Sequence, residues 1–218
     1  MRVLVFGDSI TQGFWDTDGG WVDRLRRDYD TLQSSDLQGR NEPSVFNLGI
    51  SADNSKDVLD RIQTEIIART RGGNLPVVLV QVGVNDSSTD NESEGQSVRV
   101  SIEDYENNLK DIIKKTKSLS SRLIFIGLSA CDQSKTTPVS WGNFHYTNAS
   151  IKRYEDKMKE VADTNEIPFI PLFNNFKKEL DAGRNYLPDG LHPNNQGHKL
   201  IADMIKPEID KILAEIKT

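Results

Sequence analysis

The chain is poor in several features that mark whole classes of protein. Its 218 residues include a single cysteine, Cys131, so an internal disulfide framework is excluded. No stretch approaches the roughly 18 consecutive apolar residues of a transmembrane helix, and we expect no stable membrane insertion. Basic residues are in the minority, with 27 Lys and Arg against 33 Asp and Glu, and the net charge of −6 argues against a nucleic-acid partner.

The remaining composition is that of a soluble globular protein, with 36% hydrophobic and 28% charged residues. The length fits one domain over residues 1–218, with a substantial core. The amino terminus runs directly into an apolar segment without a signal region, so we expect a cytoplasmic protein unless an export signal has been removed. The composition gives no indication of the oligomeric state.

Short apolar runs alternate with amphipathic stretches along the whole chain. The runs predict strands over 2–6, 44–48, 76–82, 123–128 and 168–171. The amphipathic stretches predict helices over 20–29, 54–68, 101–117, 148–164 and 195–216, with Asp53 as the candidate cap of the second. Such alternation favours an α/β fold: a single-domain, three-layer α/β/α sandwich around a five-stranded parallel sheet of order 2-1-3-4-5.

Sheets of this kind place their functional sites beyond the carboxyl ends of the strands. Ser9 follows the first predicted strand, Gly49 the second and Asn85 the third, while Asp189 and His192 come from a loop after the fifth. We therefore expect these five residues to lie along one edge of the sheet.

Gly7-Asp8-Ser9 puts a hydroxyl on the turn that leaves the first strand. A helix N-terminus nearby would offer free N–H groups that favour developing negative charge, which suits a nucleophile. The alternative is that Ser9 only caps a turn. A phosphate-binding loop is disfavoured because the segment has neither Gly-Lys-Ser/Thr nor Gly-x-Gly-x-x-Gly.

Asp189 stands three residues before His192, across Gly190 and Leu191. A carboxylate so placed can fold back onto Nδ1 of the imidazole and leave Nε2 free to accept a proton. The alternative is that Asp189 caps a turn with the histidine merely nearby. A metal site built on His192 and His198 lacks the i, i+4 helical spacing and a third ligand, so we expect neither a metal nor another cofactor.

Stabilising an oxyanion requires neutral hydrogen-bond donors close to the nucleophile. The candidates are the N–H of Gly49, the side-chain amide of Asn85 and the N–H of Ser9 itself. Glycine and asparagine are also common in turns, so each has a purely structural alternative.

Together these segments resemble the GDSL/SGNH hydrolase family, whose four sequence blocks match residues 7–13, 47–49, 83–86 and 189–193 in order. The resemblance implies Ser9 as nucleophile, His192 as base and Asp189 as its partner. It also implies an oxyanion hole formed by Ser9, Gly49 and Asn85. Two positions depart from the usual family pattern: Ile10 replaces a leucine, and Ala52 stands where many members have glycine.

The expected function is hydrolysis of a small-molecule carboxylic ester through an acyl-enzyme, on short-chain or carbohydrate acyl esters. The same site would serve a lysophospholipase, a thioesterase or an acyltransferase, and a ligand-binding module with an inactive site is a more distant alternative. Two long polar segments, 87–100 and 130–147, follow the third and fourth strands. The aromatic residues of the second, Trp141, Phe144 and Tyr146, either line a substrate pocket or form a small surface cluster of their own.

Overall fold

A computed structural model describes residues 1–36, 42–70, 75–90 and 98–217. Five parallel strands form its sheet in the order β2-β1-β3-β4-β5. They are β1 (Arg2–Gly7), β2 (Ser44–Gly49), β3 (Val77–Gln81), β4 (Arg122–Ile126) and β5 (Phe169–Ile170). The predicted fold class and strand order are confirmed, although β4 ends two residues earlier than expected and β5 is only two residues long.

Eight helices are described: α1 (Ser9–Gln12), α2 (Gly20–Ser35), α3 (Ser55–Arg69), α4 (Ile102–Ser118), α5 (Gln133–Thr136), α6 (Asn148–Thr164), α7 (Phe173–Asp181) and α8 (Asn195–Lys217). The sequence analysis missed α1, α5 and α7, and placed the end of α2 six residues too early. The four-residue helices α1 and α5 are too short to show a periodic pattern. None of the described helices is long and apolar enough to cross a membrane.

The helices pack in two groups, α2 with α8, and α3 with α4 and α6. The side chains of β1 and β3 are buried on both faces of the sheet, so the two groups cover opposite faces and complete three layers. The long helices of both groups turn an apolar stripe inward, for example Leu25 and Tyr29 of α2.

Side-chain caps fix where the second group of helices begins. Asn54, not Asp53, caps α3 in a capping box with Asp57, so the predicted cap was wrong by one residue. Ser101 caps α4 and Thr147 caps α6 without a capping box described, each side-chain oxygen accepting one backbone N–H of the first turn.

The register of the sheet brings the ends of β1, β2 and β3 together. Gly7, the last residue of β1, pairs with Gly49 on one side and Gln81 on the other. Helix α1 packs directly onto these ends: a Cβ on Gly7 would lie 2.1 Å from Thr11 Oγ1, and a Cβ on Gly49 would lie 2.3 Å from the Gln12 nitrogen. Both glycines are therefore needed for this close approach.

Candidate active site

Strand β1 delivers the serine of the first motif to the edge of the sheet. Asp8 follows the strand as the N-cap of α1, and its side chain accepts the Ile10 N–H at 2.9 Å. Ser9 is thus the first residue of α1, where backbone N–H groups have no partner within the helix. Its Oγ lies 2.9 Å from Nε2 of His192, although the two residues are 183 positions apart in sequence.

The turn that carries Asp189 folds the carboxylate back onto the imidazole of His192. Asp189 Oδ2 lies 2.7 Å from His192 Nδ1. The other carboxylate oxygen, Oδ1, accepts the backbone N–H groups of Leu191 at 2.9 Å and His192 at 2.8 Å. Gly190 forms the turn with φ of +92°, and a Cβ there would lie 2.6 Å from Lys135 Cβ, so a side chain at this position would be strained.

These hydrogen bonds keep the carboxylate of Asp189 ionised. Burial alone would raise its pKa, but the bonds from the His192 side chain and from two backbone N–H groups outweigh burial and hold the pKa well below its ordinary value. An ionised carboxylate at Oδ2 requires the proton on Nδ1, which leaves Nε2 of the neutral ring as an acceptor. The Ser9 hydroxyl then donates to Nε2, the direction that proton removal from serine requires.

Asn85 lies buried after β3 with its amide held at both ends. Its Nδ2 donates to the Asp53 carbonyl at 3.0 Å, and its Oδ1 accepts the Tyr146 hydroxyl at 3.0 Å. Burial raises the pKa of Tyr146 to about 12, so the phenol stays a neutral donor. Because an amide nitrogen carries two protons, this arrangement leaves the second N–H of Asn85 to point at another acceptor.

Asp86, the residue after Asn85, has a buried carboxylate that contacts the start of α3. Asp86 accepts the backbone N–H of Ser55 at 3.0 Å and also the Ser55 hydroxyl, and so fixes the start of α3. Arg61 of α3 pairs with the Asp53 carboxylate at 2.8 Å and donates to the Leu48 carbonyl at 2.8 Å. Burial raises the pKa of Asp86 to about 6 in spite of its hydrogen bonds with Ser55.

Gly49 differs from the other predicted oxyanion donors. Its N–H already donates to Oδ1 of Asn47 at 3.0 Å. The packing of α1 against β2 accounts for a glycine here without any role in chemistry. To receive an oxyanion, the Gly49 N–H would have to share or exchange its bond with Asn47.

Ala52 adopts φ of +68°, a left-handed conformation that favours glycine. Alanine at this position therefore carries some backbone strain that glycine would not. Its carbonyl accepts a hydrogen bond from Arg99 at 2.9 Å, which ties the loop to the segment before α4.

Three aromatic side chains, which we call the aromatic rim, surround the imidazole: Phe14, Trp15 and Trp141. The ring centres of Phe14 and Trp141 lie 5.0 and 5.5 Å from that of His192. Trp15 packs against Phe14 at 4.8 Å and donates its indole N–H to Asp189 Oδ2 at 2.8 Å. All three are partly exposed, Trp15 the most at 60%, so they border the site without closing it.

The sequence analysis missed Phe14 and Trp15, although both stand within six residues of Ser9. An exposed Phe-Trp pair directly after the nucleophile segment was the available signal. In segment 130–147, the ring of Trp141 lies beside His192 and the Tyr146 hydroxyl donates to Asn85, so these two aromatic residues are part of the candidate site. In segment 87–100, residues 91–97 lie outside the described part of the chain.

His198, the second histidine weighed as a metal ligand, holds the backbone instead. Its Nε2 donates to the Phe14 carbonyl at 3.1 Å, and burial lowers its pKa, so the ring is neutral. Across the described ranges, no three or more His, Cys, Asp or Glu side chains are grouped so that they could hold a metal ion.

A comparison with models of known protein families supports the resemblance that the four sequence blocks indicate. The model of the GDSL-like Lipase/Acylhydrolase family matches residues 5–200. The chain belongs to this family. Family membership confirms the resemblance found in the sequence and makes the protein an ester hydrolase.

Curated relatives of this family member carry esterase names. The isoamyl acetate-hydrolyzing esterase 1 homolog of Mus musculus is 29% identical over 229 residues, covering 99% of this chain and 84% of the relative. The isoamyl acetate-hydrolyzing esterase of Saccharomyces cerevisiae is 25% identical over 215 residues, covering 96% and 86%.

Solved structures share the fold. A lipase/acylhydrolase from Enterococcus faecalis aligns with a TM-score of 0.73 at 24% identity, covering 95% of this chain and 94% of its own. The acetyl xylan esterase AlAXEase also aligns with a TM-score of 0.73, at 22% identity, covering 96% and 100%.

Proposed function

We propose that this hydrolase cleaves carboxylic esters through an acyl-enzyme formed on Ser9, with His192 as general base and acid and Asp189 as its orienting partner. The observation that carries the proposal is the continuous hydrogen-bond chain. Ser9 Oγ lies 2.9 Å from Nε2 of the imidazole, and Nδ1 lies 2.7 Å from the carboxylate. A nucleophile, a base and an orienting group in this order are what serine hydrolysis requires.

In the first half-reaction, His192 Nε2 takes the hydroxyl proton as Ser9 Oγ attacks the ester carbonyl carbon. The resulting tetrahedral intermediate collapses when the imidazolium returns the proton to the departing alkoxide, which leaves as an alcohol. In the second half-reaction, Nε2 takes a proton from water, the hydroxide attacks the acyl-enzyme, and Ser9 regains its proton as the carboxylic acid leaves. Asp189 stabilises the imidazolium at each stage and stays ionised itself.

The oxyanion of each intermediate is held by the N–H of Ser9 and the second N–H of Asn85. Tyr146 and the Asp53 carbonyl fix the Asn85 amide before substrate arrives, and such preorganised donors stabilise developing charge without reorganisation. Gly49 joins as a third donor when its N–H turns from Asn47 to the oxyanion.

The proposed substrates are esters of a short acyl group, acetyl above all, with an alcohol that presents an apolar face. His192 protonates the leaving alcohol, so the alcohol lies against the rings that contact His192, Phe14 and Trp141. A branched alkyl group or the face of a sugar ring suits such a surface. Isoamyl acetate and acetyl xylan, the compounds in the names of relatives and neighbours, are both acetyl esters of this kind.

The test measures kcat/KM for p-nitrophenyl acetate, butyrate and octanoate, and for isoamyl acetate and an acetylated xyloside. Ser9→Ala should lower kcat by about 10⁴-fold or more. The control Ser118→Ala, on the exposed end of α4, should leave kcat unchanged. Acetate should exceed octanoate by about tenfold or more. Full activity of Ser9→Ala would eliminate the mechanism, and a preference for octanoate would eliminate the short-acyl assignment.

A further inference from the structure

One oxygen of the Asp189 carboxylate receives a second donor that belongs to neither the imidazole nor the backbone. Oδ2 accepts Nδ1–H of His192 at 2.7 Å and the indole Nε1–H of Trp15 at 2.8 Å. With the two backbone N–H groups on Oδ1, the carboxylate has four donors. Its plane and rotation are therefore fixed from both sides, and the indole supplies one of the two bonds at the oxygen that faces His192.

The backbone at Trp15 adopts an unfavourable conformation to place this indole. Its φ is +66°, a left-handed value that costs a bulky residue conformational energy. The ring is 60% exposed, so burial of apolar surface gives little compensation. The indole–carboxylate bond, a charge-assisted hydrogen bond, is the interaction that gains from the conformation.

The turn around Trp15 is held by groups on three other elements. The Phe14 N–H donates to the Ser9 carbonyl at 3.0 Å, and the Phe14 carbonyl accepts from His198 of α8 at 3.1 Å. On the other side, the buried carboxylate of Asp16 pairs with Arg24 of α2 at 2.9 Å. The indole is thus presented to Asp189 by a rigid turn that begins at the nucleophile itself.

We infer that Trp15 is a positioning residue, whose indole N–H fixes the Asp189 carboxylate and, through it, the orientation and protonation of His192. The inference rests on the proposed function of the Ser9–His192–Asp189 chain. It assigns Trp15 a role in proton transfer that is separate from any contact of its exposed ring with substrate.

The N–H of Trp15 withdraws negative charge from Oδ2. When this hydrogen bond is removed, more negative charge density remains on Oδ2, and the carboxylate stabilises the imidazolium of His192 more strongly. The acid limb of the pH profile of kcat/KM therefore moves to higher pH. The carboxylate also loses one restraint on its rotation, so kcat falls. Asp8 and His198 also act electrostatically on His192, but neither touches the indole, so a change at Trp15 leaves their contribution in place.

The experiment replaces Trp15 in two ways. Trp15→Phe removes the N–H and shortens the ring. Site-specific incorporation of 3-benzothienylalanine at the same position keeps the bicyclic shape and replaces only N–H by sulfur. Trp141→Phe is the matched control, because this tryptophan is also exposed beside His192 but none of its described hydrogen bonds reaches the triad.

Both Trp15 replacements should lower kcat for p-nitrophenyl acetate by about tenfold, change KM by less than about twofold, and move the acid limb to higher pH. The low-field ¹H resonance of His192 Nδ1–H should shift in both. Trp141→Phe should leave the acid limb in place. The melting temperature of each variant serves to separate these changes from loss of the fold.

An unchanged kcat, acid limb and Nδ1–H resonance in the benzothienyl protein would overturn the inference. Ser9→Ala, measured in parallel, distinguishes a failure of the inferred role of Trp15 from a failure of the proposed function. If Ser9→Ala is inactive while the Trp15 replacements behave like the parent, only the role of Trp15 fails. If Ser9→Ala is fully active, the proposed function fails.

Discussion

The two sides of the site are built differently. Around Asn85 the site is buried and polar, held by hydrogen bonds from Tyr146 and by the Asp86–Ser55 contact that fixes α3. Around His192 it is open and aromatic, formed by the aromatic rim. Asn85 follows β3 closely and is held by the buried Tyr146 of segment 130–147, whereas the rim residues are exposed, Phe14 and Trp15 after α1 and Trp141 in segment 130–147.

The two sides are suited to two different tasks in the proposed reaction. Donors that must meet a developing oxyanion require fixed geometry and exclusion of water, which burial provides. A surface that accepts the departing alcohol requires contact area and access, which half-exposed rings provide. Trp15 lies on the His192 side and combines both requirements there, because its exposed ring is part of the rim and its N–H fixes the carboxylate behind the imidazole.

Among the variants that compare the two sides of the site, the largest effect is expected at Asn85. Asn85→Ala removes a proposed oxyanion donor and should lower kcat by about 10²–10³-fold with little change in KM. Tyr146→Phe keeps the amide but releases its Oδ1, and should lower kcat by about tenfold. Steady-state kinetics with p-nitrophenyl acetate measure both. A larger loss in Tyr146→Phe than in Asn85→Ala would contradict the assignment of the donor to Asn85.

The buried residue Asp8 should make the free energy of unfolding depend on pH. Burial raises the pKa of Asp8 from 3.8 to about 6, so the folded protein holds this proton more tightly than the unfolded chain. The resulting stability is fully present below pH 3.8 and is lost as the pH rises through about 6.

Asp8→Asn cannot ionise, and its side-chain oxygen can still cap α1. Relative to the parent, the variant should therefore gain about 2–3 kcal/mol in free energy of unfolding between pH 4 and pH 7. Urea unfolding at each pH from 4 to 8 provides the measurement. Parallel curves for the two proteins would show that Asp8 ionises in the folded state as it does in the unfolded chain.

The smallest effect is expected at the rim. Trp141→Ala should raise KM for isoamyl acetate by about three- to tenfold and change kcat by less than about twofold. Methyl acetate, whose leaving group is too small to cover the ring, should show no change in KM. An equal rise in KM for both esters would place the alcohol somewhere other than against Trp141.

Much of the fold could be predicted because the chain alternates apolar runs and amphipathic stretches, and a parallel sheet follows from that order. The meeting of Ser9 with His192 could be predicted because both follow strands whose carboxyl ends share an edge. Helix α7 was missed because it directly follows a two-residue strand, although Phe173 and Phe176 mark its buried face.

Other features depend on contacts between distant residues. The bond from Trp15 to Asp189 joins positions 174 apart and requires a left-handed backbone, and no local pattern encodes either. The bond from the Gly49 N–H to Asn47 joins residues two positions apart, but the Asn47 side chain also donates to the Gln12 carbonyl of α1 at 3.3 Å, a contact that no local pattern encodes. Local periodicity therefore locates the elements, while these bonds determine how the site residues are oriented.

The most direct test of the central claim is covalent labelling with a fluorophosphonate, which transfers its phosphonyl group to an activated serine with loss of fluoride. Intact-mass and peptide analysis should find one label per chain, on Ser9. Labelling should fall by several orders of magnitude in His192→Ala, since the hydroxyl then lacks its base. A parent protein that stays unlabelled, or that carries the label on a residue other than Ser9, would contradict the account.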